Sequence, residues 1–308
     1  MLPPGRAHVS NSLTDSAFSQ KVPKCYPLMG FCLNKFQSLE PGPARAAPSQ
    51  REDVLAETME NNFTYAAPYL GRQSYQRYSE DEHAIWAELV RRRTPQIEQF
   101  ACREYLEGSQ LVGIEEARLP DLKRISDRLL PRTGWSTTPV TGFLPAHAFF
   151  EMLANREFPS TTWLRDRSSL EYTPEPDIFH DVFGHVPMHA HKVFAEFLAR
   201  YGEICARTED PDVLEQLGRL FWYTVEFGLI RQGGELKMFG SGIISSHGEC
   251  TNVLEGRCEV RRFELGAVLN TTVKVDEIHK VLFAIDSFDQ MYEALLQAEL
   301  KFNDAAPK

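Results

Sequence analysis

Two histidines and one glutamate are the residues of this sequence whose types and surroundings could do chemistry. His180 and His185 lie five positions apart among apolar residues, and Glu226 lies in a second apolar run, residues 221–228. Two imidazoles and one carboxylate are the ligand set that leaves open coordination positions on a non-haem iron. If the three side chains converge, the chain holds a metal centre that can activate oxygen.

The spacing of the two histidines is, by itself, a weak metal signal. On a straight α-helix, residues five apart point about 140° away from each other, since each residue turns the helix by roughly 100°. Gly184 and Pro187 indicate that the helix deforms or ends here, which could bring His185 round beside His180. The alternative is two buried histidines that are satisfied by backbone carbonyls.

The surroundings of Glu226 favour a metal site over two buried histidines without a metal. Its neighbours three and four positions away on a helix are all apolar or aromatic: Trp222, Tyr223, Leu229 and Ile230. A carboxylate in such surroundings is costly unless it pairs with a cation or a metal. Arg219 and Arg231 are close enough in sequence to pair with it, so a structural ion pair is the alternative. Three N/O ligands without a cysteine fit iron(II), with zinc as the rival metal.

His189 and His191 follow the ligand pair closely. A fourth protein ligand would close the open positions that oxygen chemistry requires. Because Pro187 is expected to redirect the chain, we interpret both histidines as surface residues or as residues that support the ligands.

The elements that must position these groups are mainly helical. A capping box at Ser79–Glu82 begins one helix, and Pro95 and Pro145 are expected to begin others. Apolar stripes at helical spacing predict further helices over residues 122–130, closed by Pro131, and over 193–201 and 213–221. Strand signals are fewer and cover residues 236–244, 271–275 and 281–285. The sequence predicts a mainly α fold with a small β component, in the α+β class.

Composition excludes several functions. The chain has 308 residues, 43% of them hydrophobic, and a net charge of −10, which argues against binding to nucleic-acid phosphates. No apolar run is long enough to span a membrane. The six cysteines form no C-x-x-C pair, which suits a reducing, cytoplasmic compartment.

Residues 1–58 are rich in proline and lack an apolar period, so we expect a disordered segment there. We expect a single catalytic domain over residues 59–308.

Four motifs occur in order along the chain: residues 172–177 (YTPEPD), the His180/His185 pair, residues 222–228 (WYTVEFG) and residues 240–246 (GSGIISS). Together they resemble the pterin-dependent aromatic amino acid hydroxylases, most of all the bacterial phenylalanine 4-hydroxylases, over about residues 134–288. The resemblance implies a helical basket around a mononuclear iron, with iron(II) and a tetrahydropterin as cofactors. It implies hydroxylation of L-phenylalanine to L-tyrosine with dioxygen.

The resemblance also assigns roles to residues. It implies that His180, His185 and Glu226 bind the iron, and that Arg165, oriented by Asp177, binds the substrate carboxylate. Further residues of the amino-acid site would be Thr173, Pro176, Trp222, Ser245 and Ser246. The pterin would lie against Phe143, Leu144 and Phe149.

Departures from the family pattern refine the expectation. Animal members usually have serine at the position of Ala146 and histidine at that of Pro159, so one pterin or pocket contact is expected to differ. Ala284 stands where tyrosine hydroxylases have an acid, which argues against tyrosine as substrate. No regulatory domain or tetramerising helix is recognisable, so we expect a monomer. Tryptophan hydroxylation is the alternative within the family, and a zinc-dependent hydrolase with the same ligands is the alternative outside it.

Overall fold

Helices form most of the framework in the computed structural model, which describes residues 63–171, 173, 175–274 and 277–305. The α-helices are α1 Glu80–Phe100, α2 Arg103–Val112, α3 Leu122–Thr133, α4 Ala146–Ala154, α5 Lys192–Ala206, α6 Pro211–Phe221, α7 Ser241–Ser245, α8 His247–Leu254, α9 Leu265–Asn270 and α10 Phe288–Ala305. The predicted disordered segment, residues 1–58, lies outside the described residues, and the domain boundary at residue 59 stays a prediction.

Local signals place the starts of two helices correctly, but the predicted end at Pro131 is wrong, because α3 continues to Thr133. The Ser79 hydroxyl accepts the N–H of Glu82 at 3.2 Å, and the Glu82 carboxylate accepts the N–H of Ser79 at 2.8 Å, which confirms the capping box. Pro145 is the residue before α4, as predicted. The predicted new helix at Pro95 is wrong, because α1 continues through it. Its buried face continues on both sides of the proline, from Leu89 to Ile97, and that packing outweighs the lost hydrogen bond.

Two small sheets complete the fold. Strands β1 Ser136–Pro139 and β2 Glu157–Ser160 precede and follow α4 in the sequence, and they pair with each other in parallel. The second sheet has the order β4-β3-β6-β5, formed by β3 Leu229–Gln232, β4 Glu235–Met238, β5 Glu259–Arg262 and β6 Val281–Ile285. The β3–β4 pair is antiparallel and the other two pairs are parallel.

The strand predictions have mixed outcomes. The strand over residues 281–285 is confirmed as β6. The strand predicted over residues 236–244 ends at Met238, and α7 follows. Gly240, between β4 and α7, lets the chain lie close to the Glu226 segment, because a Cβ there would lie 2.5 Å from the Glu226 carbonyl oxygen. Among residues 271–274, the described part of the third predicted strand, no strand forms.

The buried core joins these elements around the segments that carry the two histidines and the glutamate. Helices α4 and α5 pack closely, since a Cβ at Gly202 would lie 2.5 Å from the backbone nitrogen of Ala154. Fully buried aromatic side chains such as Phe179 and Phe227 lie beside the ligand positions in sequence. No described helix combines the length and the apolar character needed to cross a membrane.

Candidate metal centre

A π-helix explains how the two histidines meet. Residues Phe179–His185 form this helix, in which hydrogen bonds join residues five apart, so that His180 and His185 lie on one face. Their Nε2 atoms are 3.1 Å apart, and the rings meet edge to face with centroids 4.8 Å apart. Gly184 lets this helix approach α7 closely, because a Cβ there would lie 3.1 Å from the Ser241 carbonyl oxygen.

Glu226 is brought to the same point by a second π-helix, Trp222–Glu226, which continues α6. Its Oε1 lies 3.3 Å from Nε2 of His185, and its Oε2 lies 3.8 Å from Nε2 of His180. The three residues are 5% exposed or less. The predicted convergence is therefore observed. The alternative ion pairs are not, since Arg231 is exposed and Arg219 binds Glu215 and the Leu269 carbonyl.

The geometry of the three ligand atoms suits a divalent metal. All of them lie within 4.8 Å of one another. Metal–nitrogen bonds of about 2.0–2.1 Å place neighbouring ligand atoms roughly 3 Å apart, close to the observed separation of the two Nε2 atoms. Three protein ligands leave positions open for small molecules.

The electrostatics favour the protonation states that a metal needs. Burial raises the pKa of Glu226, but His185, His180 and the hydroxyl of Ser241 together outweigh burial and lower this pKa to about 2. Burial, reinforced by His185, lowers the pKa of His180 to about 3. At neutral pH the carboxylate is ionised and His180 is neutral, as ligands must be.

Further polar groups hold the ligands in place. Ser245 Oγ lies 2.8 Å from Nδ1 of His180, so the opposite ring nitrogen faces the centre. The hydroxyl of Ser241 donates to Oε2 of Glu226 at 2.8 Å. Sequence reasoning missed Ser241, because its contact with Glu226 joins residues 15 positions apart in the sequence.

Of the two neighbouring histidines, His189 takes the supporting role that was one of the two expected roles. His189 is fully buried, and its Nδ1 lies 3.0 Å from the carbonyl oxygen of His185. Trp135 packs edge-on against it at a centroid distance of 4.7 Å. A surface position is therefore wrong for His189. His191 is half-buried and caps α5 by accepting the N–H of Phe194.

A buried ion pair joins the predicted substrate residues to the metal ligands. Arg165 donates from Nε and Nη2 to the two carboxylate oxygens of Asp177, both at 2.7 Å, and the side chains are 3% and 0% exposed. Asp177 also accepts the backbone N–H groups of Arg165 at 3.0 Å and of His180 at 3.1 Å. One carboxylate thus fixes the orientation of the Arg165 guanidinium and the position of the start of the histidine-bearing helix.

Most of the other predicted substrate residues are buried. Thr173 and Pro176 are both buried, and they lie between Arg165 and His180 in the sequence. Trp222 begins the second π-helix. Ser246 is half-buried and caps α8 by accepting the N–H of Glu249. A cavity of about 270 Å³ borders Phe179 and Ser245, although none of the three ligands lines it.

The predicted pterin residues lie at the start of α4. Leu144 and Phe149 are buried, whereas Phe143 is 46% exposed. The ring of Phe149 packs edge-on against Phe221, the residue before Trp222, at a centroid distance of 6.0 Å. This end of α4 therefore contacts the element that carries Glu226, and the assignment to a pterin stays a prediction.

Comparison with known proteins places this arrangement in a family. The sequence matches the biopterin-dependent aromatic amino acid hydroxylases over residues 23–303. It is 40% identical over 235 residues to phenylalanine-4-hydroxylase of Chromobacterium violaceum, which covers 76% of this chain and 77% of the relative. It is 37% identical over 222 residues to rat tyrosine 3-monooxygenase, which covers 71% of this chain and 44% of the relative.

Solved structures agree with the sequence relatives. The Chromobacterium violaceum phenylalanine hydroxylase with bound Fe(III) superposes with a TM-score of 0.73 at 38% identity, over 80% of this chain and 91% of that chain. The same enzyme is known with iron and phenylalanine bound, at a TM-score of 0.71, 37% identity and coverage of 80% and 92%. The predicted fold class is thereby confirmed. The chain belongs to the biopterin-dependent aromatic amino acid hydroxylases.

Proposed function

We propose that the protein is a phenylalanine 4-monooxygenase that converts L-phenylalanine to L-tyrosine with iron(II), a tetrahydropterin and dioxygen. One observation carries this function: the buried set of His180, His185 and Glu226 lies beside the Arg165–Asp177 ion pair. A ligand set with open positions supports oxygen chemistry, and an oriented guanidinium supports binding of an amino-acid carboxylate. The bacterial relatives that are 33–40% identical to this chain over the aligned residues are phenylalanine-4-hydroxylases.

The protein residues bind and orient the reactants. When bound, iron(II) and the tetrahydropterin together supply the two-electron activation of dioxygen that aromatic hydroxylation requires. His180, His185 and Glu226 would hold the metal from one side, which leaves the other side for the reactants. The zinc-dependent hydrolase loses its support, because the chain belongs to a biopterin-dependent family.

The substrate would be fixed at its amino-acid end by Arg165. A guanidinium presents several N–H donors in one plane and pairs well with a carboxylate. Asp177 uses both oxygens to hold this plane and also accepts the His180 N–H, so the distance from the substrate carboxylate to the metal is set by one rigid unit. Such positioning makes the substrate ring meet the metal site in a reactive geometry.

The walls of the site would keep water out and select the ring. Trp222 is 1% exposed, and Thr173 and Ser245 are each 4% exposed, so the wall that they would form is shielded from bulk solvent. Pro176 and Ser246 would complete this wall. On the pterin side, the backbone at Phe143 and Leu144 would bond to the edge of the pterin, and the ring of Phe149 would stack on it.

Phenylalanine is favoured over tyrosine by Ala284. This residue is fully buried in β6, where it pairs with Leu229, and it offers no group that could bind a phenolic hydroxyl. A site without a polar partner for that hydroxyl would leave it buried and unsatisfied. Tryptophan is the second candidate substrate, because it is the other aromatic amino acid that the family resemblance leaves open.

We further infer a cytoplasmic monomer. No disulfide joins the four described cysteines, Cys102, Cys205, Cys250 and Cys258, all of which are buried. Buried thiols that stay reduced are typical of proteins in a reducing compartment. Light scattering coupled to gel filtration tests the monomer directly.

The decisive experiment offers the purified protein both substrates. Metal-stripped protein receives iron(II), a tetrahydropterin and dioxygen, with L-phenylalanine or L-tryptophan, and the products are separated by chromatography. We expect L-tyrosine from phenylalanine at a higher kcat/KM than any tryptophan product. Matched reactions with zinc(II), or without pterin, should yield no product. Failure to hydroxylate either amino acid would overturn the function, and a preference for tryptophan would overturn the substrate.

A further inference from the structure

A second buried polar cluster lies beside the metal centre and consists of Trp222, His279 and Glu249. Trp222 Nε1 lies 2.7 Å from Nε2 of His279, and Nδ1 of His279 lies 2.8 Å from Oε1 of Glu249. The three residues are 1%, 6% and 1% exposed. They come from three separate elements: the second π-helix, the segment before β6, and α8.

The direction of these hydrogen bonds follows from their donors. An indole N–H can only donate, so Nε2 of His279 must be the acceptor and carries no proton. A neutral imidazole with an accepting Nε2 carries its proton on Nδ1. That proton points to Glu249, so the bonds run in one direction from Trp222 through His279 to the carboxylate.

His279 is itself held on several sides. Its backbone N–H donates to Oε1 of Glu249 at 3.3 Å, and its carbonyl accepts from Nδ2 of Asn252 at 2.8 Å. Phe227 packs against the imidazole face with a centroid distance of 4.0 Å. Helix α8 therefore fixes the backbone of His279 as well as its ring, and the imidazole acts as a rigid acceptor.

The rigid acceptor selects one orientation of the indole. If the indole turned over, its N–H and Nε2 of His279 would both be buried without a partner, which is unfavourable. We propose that His279 is a positioning residue: anchored by Glu249 and Asn252, it fixes the Trp222 indole and thereby sets the preference of the site for phenylalanine over tryptophan. The proposal rests on the function above, in which Trp222 flanks the substrate ring.

The test compares two replacements of His279. His279→Leu removes the acceptor, and we expect the KM for phenylalanine to rise about tenfold, the effect of losing one buried hydrogen bond of ordinary strength. The phenylalanine-to-tryptophan preference should fall with it. His279→Gln can still accept from the indole and donate to Glu249, so it should restore most of the lost preference. In both variants the affinity of the metal centre for cobalt(II) should stay within about twofold of that of the unsubstituted protein. The reason is that His279 bonds to Trp222 and Glu249 and to none of the three metal-binding residues.

A double-mutant cycle isolates the bond itself. Trp222→Phe removes the indole N–H, so adding His279→Leu to this variant should change the KM much less than it does in the original protein. His83→Leu is the matched control, since it removes another buried histidine, one that accepts the Leu119 N–H at 3.1 Å. It should lower thermal stability and leave the substrate preference unchanged.

Several results would overturn the proposal. These are an unchanged KM and preference in His279→Leu, an equal loss in the Trp222→Phe background, or a His279→Gln variant as impaired as His279→Leu. If His279→Leu does not fold, Glu249→Gln carries the same cycle, with a smaller expected KM effect of about threefold because the ring loses its charged partner.

A spectroscopic measurement separates this proposal from the assigned activity. With ¹⁵N-labelled tryptophan, the indole N–H resonance that disappears in Trp222→Phe should lie downfield and should move upfield in His279→Leu. A resonance that does not respond to His279 contradicts the bond, whatever the activity. If the resonance responds but the original protein forms no hydroxylated amino acid, the proposed function fails while the Trp222–His279 bond stands, and a positioning role in catalysis is refuted with the function.

Discussion

Asp177→Asn is the substitution that most directly tests how the substrate end of the site is built. Asp177 accepts four N–H groups, namely Nε, Nη2 and the backbone N–H of Arg165, and the backbone N–H of His180. Asparagine keeps the shape but offers one acceptor oxygen in place of two, and its amide nitrogen would face a donor. The guanidinium would lose its negative partner while it stays buried.

We expect Asp177→Asn to cause a large loss of stability and of substrate binding. Removing one partner from a buried ion pair costs about 3–5 kcal/mol in the free energy of unfolding. At roughly 2 °C for each kcal/mol in a protein of this size, the midpoint of thermal unfolding should fall by about 6–10 °C. Because Arg165 also loses its fixed orientation, the KM for phenylalanine should rise about tenfold or more, with a smaller change in kcat.

Calorimetry and steady-state kinetics measure the two effects on the same preparations. Asp166→Asn is the matched control, because Asp166 is an exposed acid next to Arg165 that accepts the Ser168 N–H at 2.9 Å. It should change neither quantity appreciably. A loss below about 1 kcal/mol in Asp177→Asn, the range of an exposed pair, together with an unchanged KM, would refute the buried-pair reasoning.

Three further substitutions test the metal centre and the framework. Glu226→Ala should abolish turnover and weaken binding of iron(II) or cobalt(II) by more than about 100-fold, and unchanged metal content would exclude Glu226 as a ligand. Ser241→Ala removes the hydroxyl that holds Oε2 of Glu226, so metal affinity, measured by cobalt(II) titration, should fall by about tenfold without unfolding; equal affinity would argue against that support. Gly202→Ala places a methyl group 2.5 Å from the Ala154 nitrogen and should cost about 1–3 kcal/mol of stability, with the KM unaltered; a neutral effect on unfolding would mean that α4 and α5 can separate.

Local sequence signals predicted much of the helical framework. The capping box at Ser79 and the apolar stripes that became α5 and α6 act over one or two helical turns, so they can be read without knowing the rest of the fold. Strands β1, β2, β3 and β5 escaped prediction because each has only four residues and pairs with a strand from a distant part of the sequence. The helix start predicted at Pro95 was wrong because packing along α1 outweighs the local preference of proline for the first turn of a helix.

The sequence by itself determined the chemistry of the centre: two imidazoles, a carboxylate in an apolar run, and an arginine that the family resemblance pairs with Asp177. Tertiary structure decided whether these groups meet. On a regular α-helix, His180 and His185 would diverge, and only the wider π-helix, packed through Gly184 against α7, puts their Nε2 atoms 3.1 Å apart. The contacts of Ser241 with Glu226 and of His279 with Trp222 likewise join distant segments, so no local pattern announces them.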